Sequence, residues 1–170
     1  MKRCLIHASI YTAVITTIIF AGGTPMLLDI GTKAPDFTLV GSNGDTVRLG
    51  DFAGKSNVVL IFYPGDETPG CTKQLCAVRD DYAAFEAKAT KVFGVNPADA
   101  ESHRKFVKGH GFQFPLLVDE GQKTAKLYGC DGWPAVKRTV YAIDKQGTIV
   151  YAKRGIPSND ETIKAIPDDK

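Results

Sequence analysis

From Asp29 onward the hydrophobic pattern switches between two periods, and the switches mark out alternating strands and helices. Residues 37–39 and 46–49 flank Ser42-Asn43-Gly44-Asp45, a turn sequence that predicts an N-terminal β-hairpin. Residues 58–63 read Val-Val-Leu-Ile-Phe-Tyr, apolar throughout and rich in β-branched and aromatic side chains. Such a run fits a strand covered on both faces, and Pro64-Gly65 ends it. A helix is then predicted to start at Thr68, with Thr68 as N-cap and Pro69 at the first helical position. Leu75, Val78, Tyr82 and Phe85 follow at helical spacing and form one apolar stripe.

The alternation continues to the C-terminus. Residues 91–95 predict a strand, 98–110 a helix ended by Gly111, 114–118 a short strand and 122–128 a short helix. Residues 139–143 and 148–151 pair around Asp144-Lys145-Gln146-Gly147, and 159–166 form a last helix stopped near Pro167. Strands alternating with helices, then a terminal hairpin, predict an α/β sandwich around a central mixed sheet.

Length and composition agree with one soluble domain, expected to span 29–170. The chain has 170 residues, 44% hydrophobic and 24% charged, with a formal charge of +2. No basic block argues for nucleic acid. The four cysteines, Cys4, Cys71, Cys76 and Cys130, are unevenly spaced, which favours a reactive pair over a disulfide framework. Residues 1–25 stand apart. Lys2 and Arg3 precede a mostly apolar run over 4–21, then Ala21-Gly22-Gly23, in the outline of a signal peptide or anchor. His7, Ser9, Thr12, Thr16 and Thr17 make that run weakly apolar, and Met26 opens what reads as a complete domain, so an untranslated extension is the other reading. The expected location is cytoplasmic. The alternative is export or anchoring through residues 1–23, with membrane contact only if 4–21 act as the anchor.

The chemistry concentrates in Tyr63-Pro64-Gly65-Asp66-Glu67-Thr68-Pro69-Gly70-Cys71. With Thr68 as N-cap, Cys71 is the third helical residue, where first-turn amides lack helical acceptors and the dipole favours an anion. A thiolate is such an anion and is the reactive form of cysteine. Asp66 and Glu67 oppose it if they lie close, and a positive side chain near the sulfur would offset them. Five residues of helix place the Cα atoms of Cys71 and Cys76 roughly 8–9 Å apart, on faces turned about 140° from each other. A disulfide needs Cα atoms within about 7 Å. Either Cys76 is an inert core cysteine, or the helix start unwinds for the two to meet. Cys130 reads as a structural or incidental thiol, and His103 and His110 as helix-surface and helix-end residues.

Pro64, Thr68 and Cys71 are similar to the Pro-x-x-x-Thr/Ser-x-x-Cys motif of peroxiredoxins. The flanking Phe62-Tyr63-Pro64 and Thr68-Pro69-Gly70-Cys71-Thr72 resemble the bacterioferritin-comigratory, or Q-type, branch, and Ala34-Pro35-Asp36-Phe37 extends the resemblance, which runs from about 33 to 156. It implies a thioredoxin-like fold and a thiol peroxidase acting on hydrogen peroxide and organic hydroperoxides. It selects Cys76 as the resolving cysteine, since that branch often carries one at this spacing. It also assigns Arg138 to the peroxidatic sulfur and the peroxide. By residue type alone Arg138 is a solvated charge at a strand end. Thr68 caps the helix or bonds thiolate and substrate, two roles the sequence leaves open, and Pro64 shields the sulfur. The resemblance further implies thioredoxin, or glutaredoxin, as reductant. No metal, haem or flavin is expected, and intramolecular resolution suggests a monomer. Among other classes, Cys-x4-Cys fits no usual zinc spacing. A thioredoxin-like thiol–disulfide oxidoreductase would place its cysteines as Cys-x-x-Cys. A non-enzymatic holdase would need no activated thiol.

Overall fold

The computed structural model describes residues 26–168, and the 1–25 extension lies outside them. A seven-stranded mixed sheet forms the centre. Its strands are β1 (Thr38–Gly41), β2 (Thr46–Arg48), β3 (Asn57–Phe62), β4 (Thr90–Asn96), β5 (Leu116–Val118), β6 (Thr139–Ile143) and β7 (Ile149–Arg154), in spatial order β2-β1-β5-β4-β3-β6-β7. β3, β4 and β5 run parallel, and the other pairings are antiparallel. The helices are α1 (Pro69–Asp80), α2 (Tyr82–Glu86), α3 (Ala100–His110), α4 (Lys123–Leu127) and α5 (Asn159–Ala165).

Strand β3 and the residue after it feed both faces of the sheet. Val58, Leu60 and Phe62 enter one core with Phe37, Val47, Tyr128 and Cys130. Val59, Ile61 and Tyr63 enter the other with Cys71, Leu75, Val78, Phe85 and Phe106. The two-residue period of a strand accounts for this division, and burial on both faces explains why the run carries no polar alternation.

Three elements depart from the sequence expectation. The stripe over 75–85 is carried by two helices, because the chain breaks at Asp81 (φ −97°, ψ 11°). Adjacent carboxylates at Asp80 and Asp81 are unfavourable at the negative end of a helix dipole, and Asp81 instead accepts a hydrogen bond from Asn159 Nδ2 at 2.8 Å. Strand β5 starts at Leu116 rather than 114, since Pro115 has no N–H for the ladder. Residues 49–52, expected in part as strand, form a 3-10 turn. The two predicted turns are built by their own side chains: Asn43 Oδ1 accepts the Asp45 amide, and the Asp144 carboxylate accepts the amides of Gln146 and Thr148. Among the described residues no helix is long and apolar enough to cross a membrane.

Candidate active site

The parallel strand β3 ends at Phe62, and the chain turns through 63–68 into α1. Thr68 occupies the N-cap in extended conformation and Pro69 the first helical position. The first intrahelical bond runs from the Thr72 amide to the Thr68 carbonyl at 2.9 Å. Cys71 therefore sits in the first turn, with its side chain fully buried against the sheet. The Thr68 hydroxyl makes no capping bond. It donates instead to the Gly65 carbonyl at 3.4 Å. Pro64, half-buried, follows Tyr63 at the end of the apolar run.

Arg138 immediately precedes β6, the antiparallel neighbour of β3. This pairing carries its side chain to the start of α1, 67 residues away in sequence. Its Nη2 donates to Cys71 Sγ at 3.1 Å, and its Nη1 donates to Gln74 Oε1 at 2.5 Å. Gln74 is buried one turn after Cys71. It accepts one arm of the guanidinium and so fixes the direction of the other. Sequence reasoning did not single out Gln74; only its place on the face shared with Cys71 signals it.

The two acidic residues that the sequence set against a thiolate are each bonded to other side chains, in part on α3. Tyr63 Oη donates to Asp66 Oδ1 at 2.8 Å, and Asn96 Nδ2 to the same oxygen at 2.9 Å. Ser102 Oγ and His103 Nδ1 bond Oδ2 at 2.7 and 2.8 Å. Burial alone would push the Asp66 carboxyl up, but the hydrogen bonds from His103, Ser102 and Tyr63 and the nearby His103 charge prevail and hold it at about 2. The Tyr63 hydroxyl is pushed well above its usual range by burial and then by the Asp66 charge. Glu67 points to His110, its Oε2 lying 3.4 Å from Nε2. Adjacent residues of the loop thus reach opposite ends of α3.

His103 is fully buried, not a helix-surface residue as expected. It shares the inward face of α3 with Phe106, three positions on, and that spacing was the available signal. His110 does close its helix, as expected. Cys76, half-buried on the second turn of α1, lies away from Arg138, its Sγ 3.9 Å from His110 Nδ1. Helix α1 is continuous from Pro69 to Asp80, so the two cysteines are held apart in this form, and both are free thiols. Cys130 is buried on the other face of the sheet.

The chain is similar in sequence and in fold to known proteins. Residues 30–152 match the AhpC/TSA family. Peroxiredoxin Bcp of Bacillus subtilis is 37% identical over 151 residues, covering 83% of this chain and 94% of that protein. The chain belongs to the AhpC/TSA family. Its place is in the peroxiredoxin branch of Bcp and peroxiredoxin Q, enzymes that are thiol peroxidases of the atypical two-cysteine type. The chloroplastic peroxiredoxin Q of Triticum aestivum is 44% identical over 124 residues, covering 71% of this chain and 57% of the wheat protein. Among solved structures, the peroxidoxin BcpB of Mycobacterium tuberculosis superposes with a TM-score of 0.75 at 29% identity, covering 80% of this chain and 94% of that one. The sheet and flanking helices are therefore the peroxiredoxin form of the thioredoxin-like fold.

Proposed function

We propose that this peroxiredoxin reduces hydrogen peroxide and organic hydroperoxides at Cys71, resolves the product with Cys76, and is recycled by thioredoxin, with glutaredoxin as the other candidate donor. The observation that carries the reading is the 3.1 Å contact between Arg138 Nη2 and Cys71 Sγ in the first turn of α1. The guanidinium and the helix start both place positive charge beside the sulfur. As that thiolate attacks the O–O bond, negative charge spreads over both oxygens. A guanidinium held by Gln74 stabilises this developing charge without having to reorganise. The Thr68 hydroxyl exchanges its long bond to Gly65 for the substrate, and Pro64 limits water at the sulfur.

Cys71 thiolate takes one peroxide oxygen and becomes a sulfenic acid, and water or an alcohol departs. The start of α1 unwinds, and Cys76 attacks the sulfenic sulfur. A disulfide forms and water leaves. A dithiol donor then reduces the disulfide by exchange. Because resolution is intramolecular, a monomer suffices. Because each cycle needs a reductant, the cytoplasm, where such donors are abundant, is the proposed location.

The test is peroxide consumption with a thioredoxin system, together with peptide mapping after one equivalent of peroxide. One bond between Cys71 and Cys76 is expected. A dominant bond to Cys130 or to a second chain overturns the scheme. Cys76→Ser should leave the first oxidation of Cys71 near the wild-type rate, stall turnover and let the sulfenic acid over-oxidise.

A further inference from the structure

We infer that His110, oriented by Glu67, is the general base that deprotonates Cys76 before the resolving step. This inference rests on the resolving role proposed for Cys76. Three side chains from three elements meet here: Cys76 from α1, His110 from the end of α3, and Glu67 from the loop before α1. Cys76 Sγ faces His110 Nδ1 at 3.9 Å, and His110 Nε2 faces Glu67 Oε2 at 3.4 Å. An ionised carboxylate only accepts hydrogen bonds, so Nε2 carries the proton in the neutral ring and Nδ1 presents its lone pair to the thiol. The imidazole plane is fixed from both sides. It meets Phe106 edge-on, with ring centroids 5.0 Å apart, and stacks on Phe112 at 5.6 Å.

The charged groups around this thiol point the same way. Arg79, three residues after Cys76 on α1, donates from Nη1 to the His110 carbonyl at 2.8 Å and pairs with Asp80. Its guanidinium interacts electrostatically with the Cys76 sulfur. Glu67 is the acidic side chain facing the cluster from the loop, and it faces the far ring nitrogen rather than the sulfur. Glu67 also adopts a left-handed backbone, φ 56°, which a residue with a Cβ seldom takes.

The need for a base follows from ordinary thiol chemistry. An unassisted cysteine is mostly protonated near neutral pH, and only the thiolate attacks. In the intact helix the S–H proton passes to His110 Nδ1. The imidazolium so formed keeps its Nε2–H toward Glu67, which retains the positive charge on the ring when Cys76 departs with the unwinding helix. The thiolate then attacks the sulfenic sulfur of Cys71. The S–S bond forms as the S–O bond breaks, and the proton that His110 took from Cys76 returns through solvent to the leaving hydroxide, which departs as water and leaves the imidazole neutral again. The Cys71 sulfur is reduced and the Cys76 sulfur oxidised, and no further oxidant is needed. His110 touches the reacting sulfur and is catalytic in this scheme, whereas Glu67 positions it.

Two measurements on the full-length chain test this. In a Cys71→Ser background, iodoacetamide alkylation of Cys76 is followed by peptide mapping across pH. His110→Phe, which keeps the aromatic stacking, should lower the alkylation rate at about pH 6.5 by about tenfold and converge with the parent above about pH 9. Glu67→Gln should shift the profile the same way by less. In the chain with Cys71 present, His110→Phe should slow disulfide formation by a similar factor while the first oxidation of Cys71 keeps its rate. Superimposable alkylation profiles overturn the inference, as does a disulfide-forming step with unchanged pH dependence. If alkylation depends on His110 but no Cys71–Cys76 bond ever forms in the unmodified chain, the thiol–imidazole pair stands and the resolving reading falls.

Discussion

Cys71 and Cys130 are both fully buried, lie on opposite faces of one sheet, and each has an arginine nearby. Their chemistry should nevertheless differ completely. Cys71 occupies the first turn of a helix and receives Arg138 Nη2 directly. Cys130 lies after the short α4, and its thiol donates to the Tyr128 carbonyl at 3.2 Å. Arg154 donates to Thr139 Oγ1 and the Gly129 carbonyl, at 2.7 and 2.6 Å, and its charge also acts on the Cys130 sulfur. Burial pushes the Cys130 thiol up, and hydrogen bonding from Thr139 and the Arg154 charge offset that only in part. Depth in the core therefore does not separate a working thiol from an inert one. What separates them is the helix start at Cys71 and, at Cys130, burial together with a carbonyl that accepts the thiol proton.

The largest expected effect breaks the comparison at its centre. Cys71→Ser should abolish peroxide turnover, because a serine hydroxyl is a far weaker nucleophile at neutral pH. Residual turnover dependent on Cys130 would show that the two sites had been wrongly ranked. The next effect isolates the arginine. Arg138→Ala should slow the first oxidation by about 100-fold, the usual order for one lost donor to developing charge. Quenched mass spectrometry of the Cys71 peptide reads this step directly. An unchanged rate would remove the guanidinium from the reaction and leave the helix start as the main activating feature.

How much of this contrast could be read in the sequence depends on the range of the interactions. The order Thr68-Pro69-Gly70-Cys71 is local, and local geometry put the cysteine in the first helical turn before any tertiary contact was known. The unbroken run at 58–63 likewise announced a strand buried on both faces. The guanidinium was assigned through family resemblance, since nothing near Arg138 in sequence points to Cys71. The bond of Gln74 to Arg138, that of His103 to Asp66 and the pairing of Cys76 with His110 stayed hidden because each joins residues more than 30 positions apart. The division between α1 and α2 at Asp81 was missed for a different reason: the apolar spacing ran on through the break, and the paired carboxylates that favour it carry no periodicity.

A smaller effect tests how the loop in front of Cys71 is held, against the loop around Cys130. The second relies on backbone bonds, from the Cys130 amide to the Ala125 carbonyl and from the Lys137 amide to the Cys130 carbonyl. The first relies on the ionised Asp66, whose carboxyl is lowered from 3.8 to about 2 in the fold. A carboxyl lowered by folding adds stability that is fully present above its unfolded value and is lost as pH falls through its folded value. That contribution should therefore disappear between 3.8 and about 2. Urea unfolding through this window should show wild type losing more stability than Asp66→Asn, which is less stable at neutral pH but has no carboxylate to protonate at this site. Parallel losses in the two proteins would mean that other groups dominate the acid response.

The smallest effect belongs to Cys130 itself. Cys130→Ala removes one heavy atom from the core that contains Tyr128, Tyr141 and Val136. The Tyr128 carbonyl that accepts the thiol also accepts the Tyr141 hydroxyl at 2.7 Å, so the substitution leaves no buried acceptor unpaired. What remains is a small cavity, at a cost of about 1 kcal/mol. Denaturant unfolding should register that loss as a lower midpoint with an unchanged slope. The rates of Cys71 oxidation and of disulfide formation should match those of the unmodified chain, because the sheet stands between the substituted atom and α1. A fall in either rate without further loss of stability would mean that the two faces communicate, and the contrast between a helix-start thiol and a packed one would then not be enough to explain which cysteine works.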